Sequence, residues 1–161
     1  MKKTPIVAGN WKMNKLPSEG ASFISEINKL VKDVNSLTVI YAPPFSGLFD
    51  LKVKPPFYIA AQNCHWEDYG AFTGEISPVA LKEIGCDFVI LGHSERRQIF
   101  NETNDHIKKC SEAAINANLT PIICVGENLD QRVNGKAIDL IEKQISNCLP
   151  EKFNELTIAY E

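Results

Sequence analysis

Short runs of apolar, β-favouring residues alternate along this chain with longer segments whose apolar positions recur every three or four residues. The runs cover 6–8, 37–42, 57–61, 88–91, 122–125 and 156–160. Their starts advance by about 30 residues, the size of one βα unit. Between most of them the spacing predicts helices. The first is opened by Pro17 and Ser18 and carries Phe23, Ile24, Ile27, Leu30, Val31 and Val34 on its apolar face. A second starts at Ser77-Pro78, a capping serine with proline in the first turn, and stops at Gly85. A third places Ile107, Cys110, Ala113, Ala114 and Ala117 together, and the last, after the turn signal Asn134-Gly135, carries Ala137, Ile138, Ile141, Ile145, Cys148 and Leu149. Strand, helix, strand in steady alternation predicts a parallel sheet with helical crossovers in a single α/β domain spanning 1–161.

Two segments break the rhythm. Residues 43–56, bounded by Pro43-Pro44 and Pro55-Pro56, leave room for only a short helix. Residues 63–77 form a long loop rich in aromatic residues, and a loop of that length is usually functional or meets a partner. Trp66 and Phe72 exposed on a monomer would be costly, so the loop is read as an interface.

Composition narrows the classes. Apolar residues make up 44% and charged residues 23% of 161, close to an ordinary soluble protein. A net charge of −3 with no basic block excludes nucleic acid and anionic membrane as expected partners. The N-terminal apolar run is too short for a signal peptide and no run is long enough to span a bilayer, so a cytoplasmic location is expected. Cys64, Cys86, Cys110, Cys124 and Cys148 are odd in number and widely spaced, which favours reduced, buried thiols over disulfides or a zinc site.

The chemistry gathers at strand ends. Run four passes through Gly92 into His93-Ser94-Glu95-Arg96-Arg97, with Ser94 available to cap a helix whose N-terminal partial charge would keep His93 neutral and donating. The other ends are Gly9-Asn10-Trp11-Lys12, Cys124-Val125-Gly126-Glu127 and Tyr160-Glu161. In a parallel sheet these C-terminal ends share one surface, where active sites sit. No nucleophile stands beside a base, no metal-ligand cluster appears, and no phosphate-binding glycine loop offers a cofactor seat. What remains is proton transfer: a carboxylate removing a proton next to a carbonyl, an imidazole polarising that carbonyl, and an ammonium facing the anion. Each residue also has an ordinary reading. Lys12 is an unremarkable solvated lysine, Asn10 a turn former, Glu161 a chain end, Cys124 a core hydrophobe, and Glu95 with the two arginines a surface ion-pair set. His65 and His106 are read as structural.

The segments Val7-Ala8-Gly9-Asn10-Trp11-Lys12-Met13-Asn14, Gly70-Ala71-Phe72-Thr73-Gly74-Glu75-Ile76-Ser77, Ile90-Leu91-Gly92-His93-Ser94-Glu95-Arg96-Arg97, Cys124-Val125-Gly126-Glu127 and Ala159-Tyr160-Glu161 resemble, in order and spacing, motifs of the triosephosphate isomerase family. The resemblance implies a TIM (β/α)8 barrel and interconversion of dihydroxyacetone phosphate with glyceraldehyde 3-phosphate through an enediolate, a step of glycolysis and gluconeogenesis, with no cofactor and no metal. It implies Glu161 as the base, His93 as the neutral electrophile, and Asn10 and Lys12 as substrate-binding residues. Glu95 would support Lys12, and Thr73 would reach towards the site of a partner subunit in a homodimer built through loop 63–77. The family's barrel has eight strands and roughly 250 residues. Six strands are expected here, so the barrel is expected to be C-terminally truncated after the sixth, without the lid and phosphate-binding strand ends that follow the glutamate. The alternative expectation is an inactive fragment that keeps only the association surface. An aldolase-like enzyme ranks last, because no run offers a Schiff-base lysine.

Overall fold

Each apolar run becomes a strand in the computed structural model, which describes residues 4–31, 36–49 and 51–161. The strands are β1 (Ile6–Asn10), β2 (Thr38–Ala42), β3 (Phe57–Ala61), β4 (Phe88–Leu91), β5 (Thr120–Val125) and β6 (Thr157–Tyr160). They form one sheet in the order β1-β2-β3-β4-β5-β6 with every neighbouring pair parallel. This is the arrangement of the first six strands of a (β/α) barrel, curved with helices on its outer side.

Period-two alternation divides the strand residues between two cores. Val39, Tyr41, Phe57, Ile59, Ala61, Val89, Leu91 and Ile123 pack on the helix side with Ile24, Leu81, Ile107, Cys110 and Ala114. Ile40, Ala42, Ala60, Ile90, Ile122 and Cys124 form the second cluster on the concave face. Burial on both faces is why β2 to β5 read as continuous apolar runs.

The crossovers include α1 (Pro17–Leu30), α2 (Pro78–Glu83), α3 (Ser94–Ile99), α4 (Asn104–Asn116), α5 (Leu129–Val133) and α6 (Ala137–Cys148), with a 3-10 turn at Phe45–Gly47. Ser77 caps α2 by accepting from Ala80 N, and Gly85 ends that segment at φ +101°. Thr103 caps α4 by accepting from His106 N. Among the described residues no helix is long and apolar enough to cross a membrane.

Three expectations need correction. Leu30 on α1 and Ile138 on α6 are 79% and 71% exposed, because each lies at a helix end where the apolar stripe has rotated off the sheet. Val34 lies outside the described residues. Trp66 is not exposed: it stacks on His65 at 4.2 Å, meets His106 edge-on and packs against the helix-side core. Phe72, 43% exposed, and Tyr69, 79% exposed, carry the apolar surface of the loop instead.

Candidate active site

β1, β4 and β6 end on the same rim of the sheet, and that shared end brings residues more than 60 positions apart into contact. Past the end of β1, Lys12 takes φ +52°, a left-handed conformation that costs a non-glycine residue about 1–3 kcal/mol unless its surroundings hold it. Two side chains do so. Asn10 Oδ1 accepts from the Lys12 backbone N–H at 3.0 Å, and Gln62 Nε2 donates to the carbonyls of Lys12 and Ala42, each at 2.8 Å. The Lys12 side chain thereby reaches Glu95, Nζ to Oε1 at 2.8 Å. This hydrogen bond and the opposite charge raise the lysine above its ordinary pKa and hold the Glu95 carboxyl below the usual carboxylate range.

Gly92 ends β4 at φ +68° and turns the chain into α3. His93, rather than Ser94, occupies the cap position, its Nδ1 accepting from Glu95 N–H at 3.3 Å. Glu95 Oε2 lies farther from the same nitrogen, at 3.5 Å. An Nδ1 that accepts from backbone carries no proton, so hydrogen-bond geometry assigns the ring proton to Nε2. Nε2 then donates to Glu161 Oε1 at 2.8 Å. The other oxygen of Glu161 accepts from Ser94 N–H at 2.8 Å, at the start of α3. Glu161 is thus tied at both oxygens, and its own N–H bonds Val125 O at 2.9 Å, which sets aside the reading of a frayed end.

The histidine–glutamate pair stands between two clefts. One, of about 660 Å³, is lined by Asn10, Lys12, Gln62, His93 and Glu95, with Met13, Phe45, Ile99 and Phe100 on its outer wall. The other, of about 340 Å³, is lined by Gly92, Ser94, Gly126, Glu127, Gln144 and Glu161. Gly126 has no room for a side chain, since a Cβ there would collide with the Glu161 carbonyl oxygen. Cys124 lies beneath the pair, where burial and then the Glu161 charge push its thiol up to about 12, out of reach as a nucleophile at neutral pH.

Of the residues singled out in the sequence, Asn10, Lys12, His93, Glu95 and Glu161 meet at this rim. Thr73 does not. It is exposed in a loop turn closed by Glu75 N–H to Phe72 O at 2.9 Å, and lines neither cleft. His65 and His106 stay structural, His65 being buried with its Nδ1 accepting from Glu67 N–H. Glu95 and the arginines do not pair with one another: Arg96 Nε meets buried Glu102 at 2.6 Å, and Arg97 bonds backbone carbonyls. Sequence reasoning missed Gln62, Gln144 and the cluster in which Glu127 accepts from Arg132 Nη1 and Tyr160 Oη, and gave Arg97 only a surface ion-pair reading.

Comparison with known proteins adds the following. The family described as triosephosphate isomerase matches residues 5–161. The triosephosphate isomerase of Caldanaerobacter subterraneus subsp. tengcongensis is 45% identical over 99% of this chain, and that of Streptococcus mutans is 44% identical over 100% of this chain. A crystal structure of triosephosphate isomerase from Bartonella henselae superposes with a TM-score of 0.91 at 35% identity, covering 98% of this chain and 68% of that one. The chain spans 66% and 67% of the length of the two curated relatives.

Proposed function

The chain belongs to the triosephosphate isomerase family, and from that we propose that the protein interconverts dihydroxyacetone phosphate and D-glyceraldehyde 3-phosphate by proton transfer through an enediolate. Glu161 is the base that takes a proton from one substrate carbon and returns it to the next. His93 donates Nε2–H to the carbonyl oxygen as negative charge develops there, and Lys12 faces the same oxygen or the phosphate. Asn10 binds substrate and helps hold the Lys12 backbone, while Glu95 keeps the ammonium in place. No cofactor is required, because the charge is stabilised by groups of the chain itself. The family is itself the reference case for a carboxylate base beside a neutral histidine. The same reading puts the protein in the cytoplasm.

One observation carries this reading: an imidazole whose Nδ1 accepts from backbone at a helix start and whose Nε2–H reaches a carboxylate at 2.8 Å. That arrangement joins a hydrogen-bond donor lining the 660 Å³ cleft to a base lining the 340 Å³ cleft, in direct contact where the two clefts meet, and a donor and a base side by side are what proton transfer between adjacent carbons needs.

We propose further that loop 63–77 seats against a second copy to make a homodimer, with Thr73 directed at the partner's cleft. Exposed apolar side chains support this on both sides of the contact: Tyr69 and Phe72 on the loop, and Met13, Phe45, Ile99 and Phe100 around the 660 Å³ cleft. Asn63 Oδ1, buried at the cleft wall, has no hydrogen-bond partner among the described residues.

The test is a coupled isomerase assay of the full-length protein against its His93→Ala variant. Loss of acid–base help is expected to lower kcat by about 10²–10⁴-fold. Equal turnover by both proteins would remove His93 from the mechanism, and no turnover by either would leave only the second reading, a chain that associates through loop 63–77 without catalysing anything.

A further inference from the structure

Arg97 follows the histidine by four residues and lines the 340 Å³ cleft, and its guanidinium is tied to the strand ends. Nε donates to Gly92 O at 2.7 Å, Nη2 to Cys124 O at 3.0 Å, and Nη1 to Asn104 Oδ1 at 2.7 Å, with Cys148 Sγ 3.4 Å from Nη2. Backbone pairing between β4 and β5 stops at Leu91↔Ile123. The two carbonyls that Arg97 bridges belong to the next residue on each strand, so the side chain supplies one more rung after the ladder has ended.

Both strands matter beyond that rung. Gly92 is bonded directly to His93. Cys124 precedes Val125, whose carbonyl accepts the Glu161 N–H, and Gly126, whose backbone abuts Glu161. The 2.8 Å contact between His93 Nε2 and Glu161 Oε1 therefore spans the interval from β4 across β5 to β6, and one guanidinium sets its first half. Gly92 leaves room for this: a Cβ there would sit 2.7 Å from Ile107 Cδ1 and 3.0 Å from Arg97 Nη2. A lysine has one compact ammonium in place of the planar fork and cannot hold both carbonyls and Asn104 together.

We infer that Arg97 is a positioning residue that sets the separation of His93 and Glu161. The inference rests on the isomerase reading for its kinetic consequence but not for its geometric one. In the full-length protein, Arg97→Lys is expected to lower kcat by on the order of 10²-fold, the loss typical of a misplacement near 1 Å, with KM almost unchanged because Asn10 and Lys12 are held from β1.

A second readout does not depend on activity. Substituting His93 alone identifies its imidazole N–H signal in a nitrogen-15 spectrum and separates it from those of His65 and His106. The His93 Nε2–H resonance should shift or broaden in Arg97→Lys. A folded Arg97→Lys protein with that resonance and kcat both unchanged would overturn the inference. If Arg97→Lys does not fold, Asn104→Ala decides, since it frees one arm of the fork. A smaller shift and a several-fold loss of kcat support the role, and no change in either refutes it. Should the unsubstituted protein show no isomerase activity, the proposed reaction fails while the resonance still decides the role of Arg97.

Discussion

Lys12 and Glu95 titrate as a pair, and the signs of their shifts define where the pair holds. Glu95 lies below its ordinary value of 4.5, so its contribution is present above that value and lost as pH falls through the lowered one. Lys12 lies above 10.5, so its contribution is present below 10.5 and lost as pH rises through the raised value. Both groups are well exposed, and the pair's effect on stability is correspondingly small. Its effect on the site is the larger one. With Glu95→Gln, Lys12 loses the partner that raised it, and the alkaline limb of kcat/KM should move to lower pH. A limb that stays in place would show that Glu95 does not control the ammonium. Burial acts in the same direction on every thiol: Cys86, Cys110 and Cys124 are pushed up to about 12, and Cys64 and Cys148 are raised as well. A disulfide reagent at pH 8 should therefore leave the folded protein almost untouched and titrate five thiols after denaturation, counted by absorbance. Rapid reaction of the native protein would contradict the burial of all five.

Gln144 links α6 to the end of β5 through paired bonds: its Oε1 accepts from Gly126 N–H at 2.8 Å and its Nε2 donates to Gly126 O at 2.9 Å. Gln144→Leu removes both and leaves two backbone groups unpaired beside Glu161. A loss of about 1–3 kcal/mol is expected by urea denaturation, since the cost is set by the orphaned groups rather than by the bonds themselves. An undiminished midpoint would mean that water replaces the amide. Nothing in the chain's periodicity announces this contact, because a glutamine within an otherwise amphipathic helix reads as a surface residue. The same holds for Gln62 and Arg97, whose partners are carbonyls, and a carbonyl has no residue type. What was legible had a type and a period. The β3 and β4 runs agree with the strands residue for residue, and Asn10, Lys12, His93, Glu95 and Glu161 were found because they follow the ends of such runs. β5 starts at Thr120, two residues before its predicted start, because Pro121 lacks a donor and reads as a strand breaker, although Thr120 N–H already bonds Asp87 O at 2.8 Å. Trp66 was misjudged because a loop's sequence does not reveal which side chains fold back onto the core, whereas Phe72 and Tyr69 were left to the surface.

The sheet has two unlike edges. β1 presents Ile6 and Val7, 44% and 57% exposed, and β6 presents Ile158 and Tyr160, 38% and 58% exposed. In a closed eight-stranded barrel no strand has a free edge, so these exposures are properties of six strands standing alone. A polypeptide of residues 1–161 therefore carries two separate means of association, and symmetry tells them apart. Loop 63–77 meeting the cleft of a second copy is a mutual contact that stops at two chains. β6 of one copy pairing with β1 of the next is head-to-tail and does not stop unless a ring closes. Sedimentation velocity over a range of concentrations should show species above the 18.0 kDa of the single chain. Val7→Lys places a charge on the β1 edge and should collapse the distribution towards a dimer, because edge lysines block strand addition while leaving the loop contact in place. Phe72→Asp should do the reverse, abolishing the dimer while the larger species persist. If instead the unsubstituted polypeptide sediments as a single 18.0 kDa species at every concentration, neither the edges nor the loop is adhesive, and the proposal of a homodimer through loop 63–77 falls with the argument from exposed strands.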